Sequence, residues 1–140
     1  MNEIKAYDYL PQCALDIRVE VFVHEQGFFD DQDEIDLRST HLVMTENDTP
    51  IATCRVFSGE REGSYILGRL AVLKSHRGRG AGAKMLSAAE AQVAKMGGQE
   101  LVLHSQYEAR EFYKRNGYCE DGEIELEQGH PHIWMKKSLA

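Results

Sequence analysis

The sequence predicts one α/β domain with a mixed central sheet of about seven strands, flanked by helices. Three observations carry that prediction. The chain has 140 residues, which suits one domain with one core. Short strand-like apolar runs alternate with runs of helical period. The early linkers are tight turns, which make antiparallel pairs, whereas a helix joins the strands on either side of it between Tyr65 and His104. That last unit should be a parallel, right-handed crossover.

The elements follow in order. Ile4 to Tyr7 reads as a short first strand. Pro11 suits a first helical turn, where its missing N–H costs nothing. Ala14, Ile17, Val21 and His24 then recur at helical spacing. Leu15, Val19 and Phe22 widen that apolar face, and Gly27 is a stop. "FFDDQDEIDLRST" reads as an acidic loop or short helix. "HLVMTE" and "PIATCRVF" are strands joined near "NDTP". "GEREG" is a turn, and "SYILGRLAVL" is a third long strand. Ala83 to Met96 is a helix whose Leu86, Ala89, Val93 and Met96 share a face, ended by Gly97 and Gly98. "ELVLHS" is a buried strand. Tyr107 to Arg115 is a short helix, stopped at Asn116 and Gly117. "YCEDGEIEL" and "HIWMKK" form a closing hairpin around "EQGHP", which offers an edge for pairing in a homodimer.

Composition narrows the function. The formal net charge of -7 repels phosphodiester backbones, so nucleic acid is not an expected partner. No apolar run is long enough to cross a bilayer, and "MNEIKAYDYL" lacks the pattern of a signal peptide. Cys13, Cys54 and Cys119 are widely spaced and odd in number, which suggests neither disulfides nor a CxxC site. The expectation is a cytoplasmic protein with no membrane partner. His130 and His132 alternate like metal ligands, but no second close pair accompanies them, so no metal is expected.

"HRGRGAGAKML", His76 to Leu86, is the stretch with the most specific chemistry. A helix start presents unpaired N–H groups and the positive end of the helix dipole. Glycines there let an anion approach the backbone. Arg77 and Arg79 add charge and hydrogen-bond donors. A strand through Leu73, this turn and then a helix make a good diphosphate site. The P-loop pattern fails, because Lys84 stands between Ala83 and Met85. A loose GxGxxA is present, but the acid that a dinucleotide fold wants is replaced by His104 and Ser105. A solvated turn with capping glycines is the plain alternative.

The spacing Arg77-x-x-Gly80-x-Gly82 resembles the acyl-CoA motif of the GNAT superfamily of N-acetyltransferases. "AREFYKRNGY" (Ala109 to Tyr118) resembles that family's A-x-x-F-Y-x-x-x-G-[FY] segment. "IRVEVFVHEQGF" (Ile17 to Phe28) and "HPHIWM" are similar to signatures of a bacterial subgroup. The resemblance covers nearly the whole chain and implies one N-acetyltransferase domain over residues 1–140. It further implies a sheet splayed between its fourth and fifth strands, with acetyl-CoA as co-substrate and no metal.

By position, the resemblance assigns Leu70, Ala71 and Val72 to the pantetheine arm. It assigns the N–H groups of Arg77, Gly78, Arg79, Gly80, Ala81, Gly82 and Ala83 to the diphosphate. Gln106 and Phe112 fall beside the coenzyme, and Tyr113 matches the acid that protonates the departing thiolate. The backbone N–H of Val72 or a neighbour is a donor to the reacting carbonyl oxygen. From pattern alone, Tyr113 reads first as a core aromatic, and the resemblance is what makes it the acid.

The acceptor implied is a primary amine of a small molecule or a protein. An alkylammonium titrates near ~10.4, so a base or desolvation must free its lone pair at neutral pH. The strand Tyr65 to Leu73 holds no carboxylate, and Gly68 there reads as a bulge or close approach. Glu25, His41, His104 and His132 are the candidate bases, with Glu25 placed at the end of the first helix. The acids of "DDQDEID", Asp30 to Asp36, either form a solvated loop or draw in cationic amines; in the second case, neutralising Asp30, Asp31 and Asp33 raises the acceptor KM. Two other readings stand beside the enzyme: an acyl-CoA-binding regulatory module without turnover, and a dinucleotide-binding fragment.

Overall fold

The structure is a computed structural model that describes residues 2–28 and 32–140. Eight strands form one sheet in the order β1-β2-β3-β4-β5-β8-β6, with β7 on the far edge of β8. This is one strand more than expected. The strands are β1 (Asn2–Tyr7), β2 (Thr40–Glu46), β3 (Thr49–Ser58), β4 (Ser64–Val72), β5 (Glu100–Gln106), β6 (Cys119–Glu120), β7 (Glu125–Glu127) and β8 (His130–Ser138).

Local chemistry sets the early meander. Asn47 and Asp48 both take positive φ (50° and 70°), the conformation of a two-residue hairpin turn, and these residue types tolerate it. β1 through β4 are antiparallel, and β4 pairs with β5 in parallel, as the crossover argument expects. The crossover helix α2 (Ala81–Lys95) buries Met85, Leu86, Ala89 and Val93 against the sheet. These side chains join Leu42, Met44, Val56, Leu67, Leu101 and Met135 in the main core.

Two elements differ from expectation. α1 (Gln12–Arg18) does not run on as an α-helix but widens into a π-helix over Val19–Glu25. The extra residue per turn rotates the later positions. Val21 stays buried, while His24 faces water and meets Glu20 at 3.3 Å. The closing segment is not one hairpin strand. Gly122, at φ +124°, interrupts it, so β6 and β7 pair separately with β8. α3 (Arg110–Arg115), preceded by a 3-10 turn at Tyr107–Ala109, completes the helices. Among the described residues, no helix is long and apolar enough to cross a membrane.

Candidate active site

β4 and β5 pair from Ser64↔Glu100 to Leu67↔Leu103, and no further. Beyond that point β4 carries a bulge. Two steps along β3, Thr53 to Arg55, face three along β4, Ala71 to Gly68. Arg69 absorbs the extra residue at φ +54°. A Cβ at Gly68 would sit 3.4 Å from Arg55 Nε, an ordinary contact with a side chain. Of the two readings of Gly68, the bulge is present, and the group that approaches is a side chain rather than backbone. The sheet splays where the bulge bends β4 away.

Losing β5 leaves one edge of β4 unpaired. Leu73 N–H donates to Ile51 O on β3 at 2.9 Å, so by alternation Val72 turns its backbone groups to the open side. Arg77 Nε, donating to Val72 O at 2.9 Å, confirms that direction. Two cavities lie along this opening. One, of about 720 Å³, is lined by Leu70, Ala71, Val72, Phe112 and the turn from Gly78 to Ala83. The other, of about 500 Å³, is lined by Phe22, Phe28, Arg55, Arg69, His104, His132 and Trp134 among others. Gln26, Leu70, Ala109 and Tyr113 line both, so the cavities meet there.

The Gly/Arg turn is built for an anion, though each glycine has its own reason. Gly78 and Gly80 take φ near +80° with open space where a Cβ would be, so they supply conformation. Gly82 supplies room: a Cβ there would stand 3.2 Å from Phe112 Cζ. Gly80 caps α2 with no side chain, leaving the first-turn N–H groups of Ala81, Gly82 and Ala83 directed at the cavity mouth. That arrangement fits a diphosphate.

The arginines depart from expectation. Arg77 turns its guanidinium to Glu25, with Nη1–Oε2 at 2.5 Å and Nη2–Oε1 at 2.8 Å, and gives its own N–H to Lys74 O. It lines the first cavity, but its guanidinium is engaged by Glu25 and Val72 O. Arg79 leans toward Ser75 O and Glu46. Glu25 lines neither cavity, and the Arg77 hydrogen bonds hold its carboxyl below the usual range. A carboxylate so held braces Arg77.

The acetyltransferase (GNAT) domain model matches residues 16–139. The chain belongs to the GNAT family of acetyltransferases. Bacillus subtilis YjcF, described as an uncharacterized N-acetyltransferase, is 36% identical over 127 residues, covering 89% of each chain. A solved Lactobacillus plantarum chain superposes with a TM-score of 0.90 at 29% identity, covering 99% of both. An aminoglycoside 6'-N-acetyltransferase complexed with coenzyme A shares the fold, with a TM-score of 0.80 at 16% identity over 99% of this chain and 97% of that one.

In this GNAT acetyltransferase Tyr113 is 9% exposed and stands where the two cavities join. Burial pushes its phenol well above the usual range, so it carries its proton at neutral pH. Gln106 lines the second cavity, not the first, and its amide donates to Gln26 Oε1 at 2.7 Å. Gln26 was not singled out as a site residue, although it sits in the "HEQGF" signature. His41 is buried away from both cavities, against Asp36 O at 3.0 Å. His104 and His132 do line the second cavity.

Within the described part of the acidic segment, Asp33 and Asp36 are paired with arginines. Asp36 lies 6% exposed, within 2.9 Å of Arg18 and 2.8 Å of Arg55. Asp33 takes two bonds from Arg55, at 2.6 and 3.0 Å, with Arg69 at 3.4 Å. Arginines from α1, β3 and the β4 bulge thus neutralise these acids and tie the second cavity's floor together. Asp30 and Asp31 lie outside the described residues.

Proposed function

We propose that the protein moves the acetyl group of acetyl-CoA to a primary amine by direct attack within a ternary complex. The observation that carries this reading is the meeting of two cavities at Tyr113, across the split between β4 and β5. Acetyl-CoA enters on the side of the Gly/Arg turn. The first-turn N–H groups of α2 hold its diphosphate, and the open edge of β4 from Leu70 to Val72 holds the pantetheine arm. The amine enters from the other cavity.

Each residue then has a chemical task. Val72 N–H, on the unpaired edge of β4, donates to the thioester carbonyl oxygen as negative charge grows there. Tyr113 gives its proton to the leaving sulfur. A thiol titrates near ~8.5 in water, and the same burial that raises the phenol raises the thiolate's proton affinity. Phe112 and Leu70 exclude water along the way. The polar junction at Gln26 and Gln106 marks where the amine arrives.

A thiol-release assay tests the reading. The protein is mixed with acetyl-CoA and, in turn, spermidine, glucosamine, lysine and an unblocked peptide. Release that depends on one of these amines, with the acetylated amine found by mass spectrometry, supports it. CoA binding with no amine-dependent release across such panels contradicts turnover.

A further inference from the structure

The second cavity contains an imidazole whose orientation is fixed by its neighbours. His132 stands on β8 between Gln106 of β5 and Glu125 of β7. It is 3% exposed and lines the cavity. Its Nδ1 lies 2.8 Å from the carbonyl oxygen of His130. A carbonyl only accepts, so Nδ1 carries a hydrogen, and in the neutral ring the lone pair is at Nε2. Nε2 lies 3.5 Å from Glu127 Oε2.

The surroundings suit a transient imidazolium. His104 lies tilted against His132 with ring centroids 5.0 Å apart, and Phe28 meets His132 edge-on. Glu127 also reaches His104 Nδ1 at 3.6 Å, so one carboxylate serves two imidazoles. His104 itself is less suited: its Nε2 is buried and makes no hydrogen bond, though Glu125 Oε1 lies 3.3 Å away. Asp33, Arg55 and Arg69 line the opposite wall of the cavity and pair among themselves. Among the described residues, Glu125 and Glu127 are the carboxylates within 3.6 Å of the imidazole pair.

We propose that His132 Nε2 takes the proton from the acceptor ammonium, with His130 O fixing the tautomer and Glu127 holding the charge that forms. The proposal rests on the N-acetyltransferase reading above. The ammonium passes one proton to Nε2, which releases it to solvent. The freed lone pair forms the C–N bond at the thioester carbon, and the C–S bond breaks. The sulfur takes the proton of Tyr113, and the proton left on the new amide nitrogen returns to the phenolate. One proton is released per turnover.

The test uses His132→Gln, His132→Gly and Glu127→Gln in the intact chain, with CoA affinity measured by calorimetry. The unaltered enzyme should show kcat/KM rising with pH through a limb in the imidazole range. His132→Gln should lose that limb and fall ~10²–10⁴-fold, with CoA affinity retained. Added imidazole should restore turnover to His132→Gly. Glu127→Gln should move the limb to lower pH, because the imidazolium loses its counter-charge. An unmoved limb in His132→Gln, or no imidazole rescue with CoA binding intact, overturns the proposal and leaves the acetyltransferase reading standing. Should His132→Gln fail to fold, a limb unmoved in Glu127→Gln overturns it instead. No amine-dependent release by the unaltered protein overturns both.

Discussion

Asp36 accepts hydrogen bonds from Arg18 and Arg55, both more than nine-tenths buried, and so joins α1 to β3 beneath the second cavity. Burial alone would raise its carboxyl, but the two guanidiniums outweigh that and hold it at about 2. The folded value lies below the ordinary 3.8, so ionised Asp36 stabilises the fold above that pH. The contribution, ~2 kcal/mol, declines as pH falls and is gone below the folded value. Asp36→Asn should therefore lower stability at neutral pH by ~3–5 kcal/mol, because two buried guanidiniums lose a partner. It should also flatten the acid limb of a stability curve measured by denaturant unfolding. At Tyr113, substitution by Phe keeps the ring contacts with Phe112 and Tyr118 but removes the proton. Tyr113→Phe should cut kcat ~10²-fold or more, with the acetyl-CoA KM nearly unchanged in steady-state kinetics. Glu25→Gln should behave differently. It loosens the Arg77 brace, so the acetyl-CoA KM rises while the lower pH limb of kcat stays in place. Loss of that limb would make Glu25 a base after all.

At the scale of elements, the start of α2 separates two uses of glycine. Gly80→Ala puts a side chain at φ +81°, which should cost ~1–2 kcal/mol in thermal unfolding. Gly82→Ala has helical backbone but pushes on Phe112, so it should weaken CoA binding by calorimetry more than it lowers stability. α2 was legible in the sequence because its apolar period, its glycine stop and its position between two strands all agree. The π-helix was not legible. Val19 to Glu25 keep an ordinary helical pattern, and only backbone bonds such as Gln26 N–H to Val21 O show that the turn has widened. The break between β6 and β7 was hidden for a related reason. Gly122 and the turn at Gln128 and Gly129 divide a run that reads as continuous strand, and pairing with β8 alone decides where each piece ends.

Across the whole molecule, the two halves of the site differ in how they are written. The half proposed for acetyl-CoA is contiguous: β4, one turn and the start of α2 lie within a short stretch, so the motif and the cavity lining coincide. The acceptor half draws Phe22, Asp33, Arg55, His104 and His132 from elements scattered along the chain. No spacing links them, and only the folded sheet brings them together. The same scatter explains why "DDQDEID" misleads as a run of charge: its partners, Arg18, Arg55 and Arg69, are distant in sequence. The account's central claim concerns the donor half, where backbone N–H groups grip the diphosphate and the open edge of β4 receives the arm. Residue-resolved amide hydrogen exchange with and without CoA tests it most directly. The N–H groups of Val72, Ala81, Gly82 and Ala83 should slow when CoA is added. CoA that binds while those four exchange at their free rates would contradict the account.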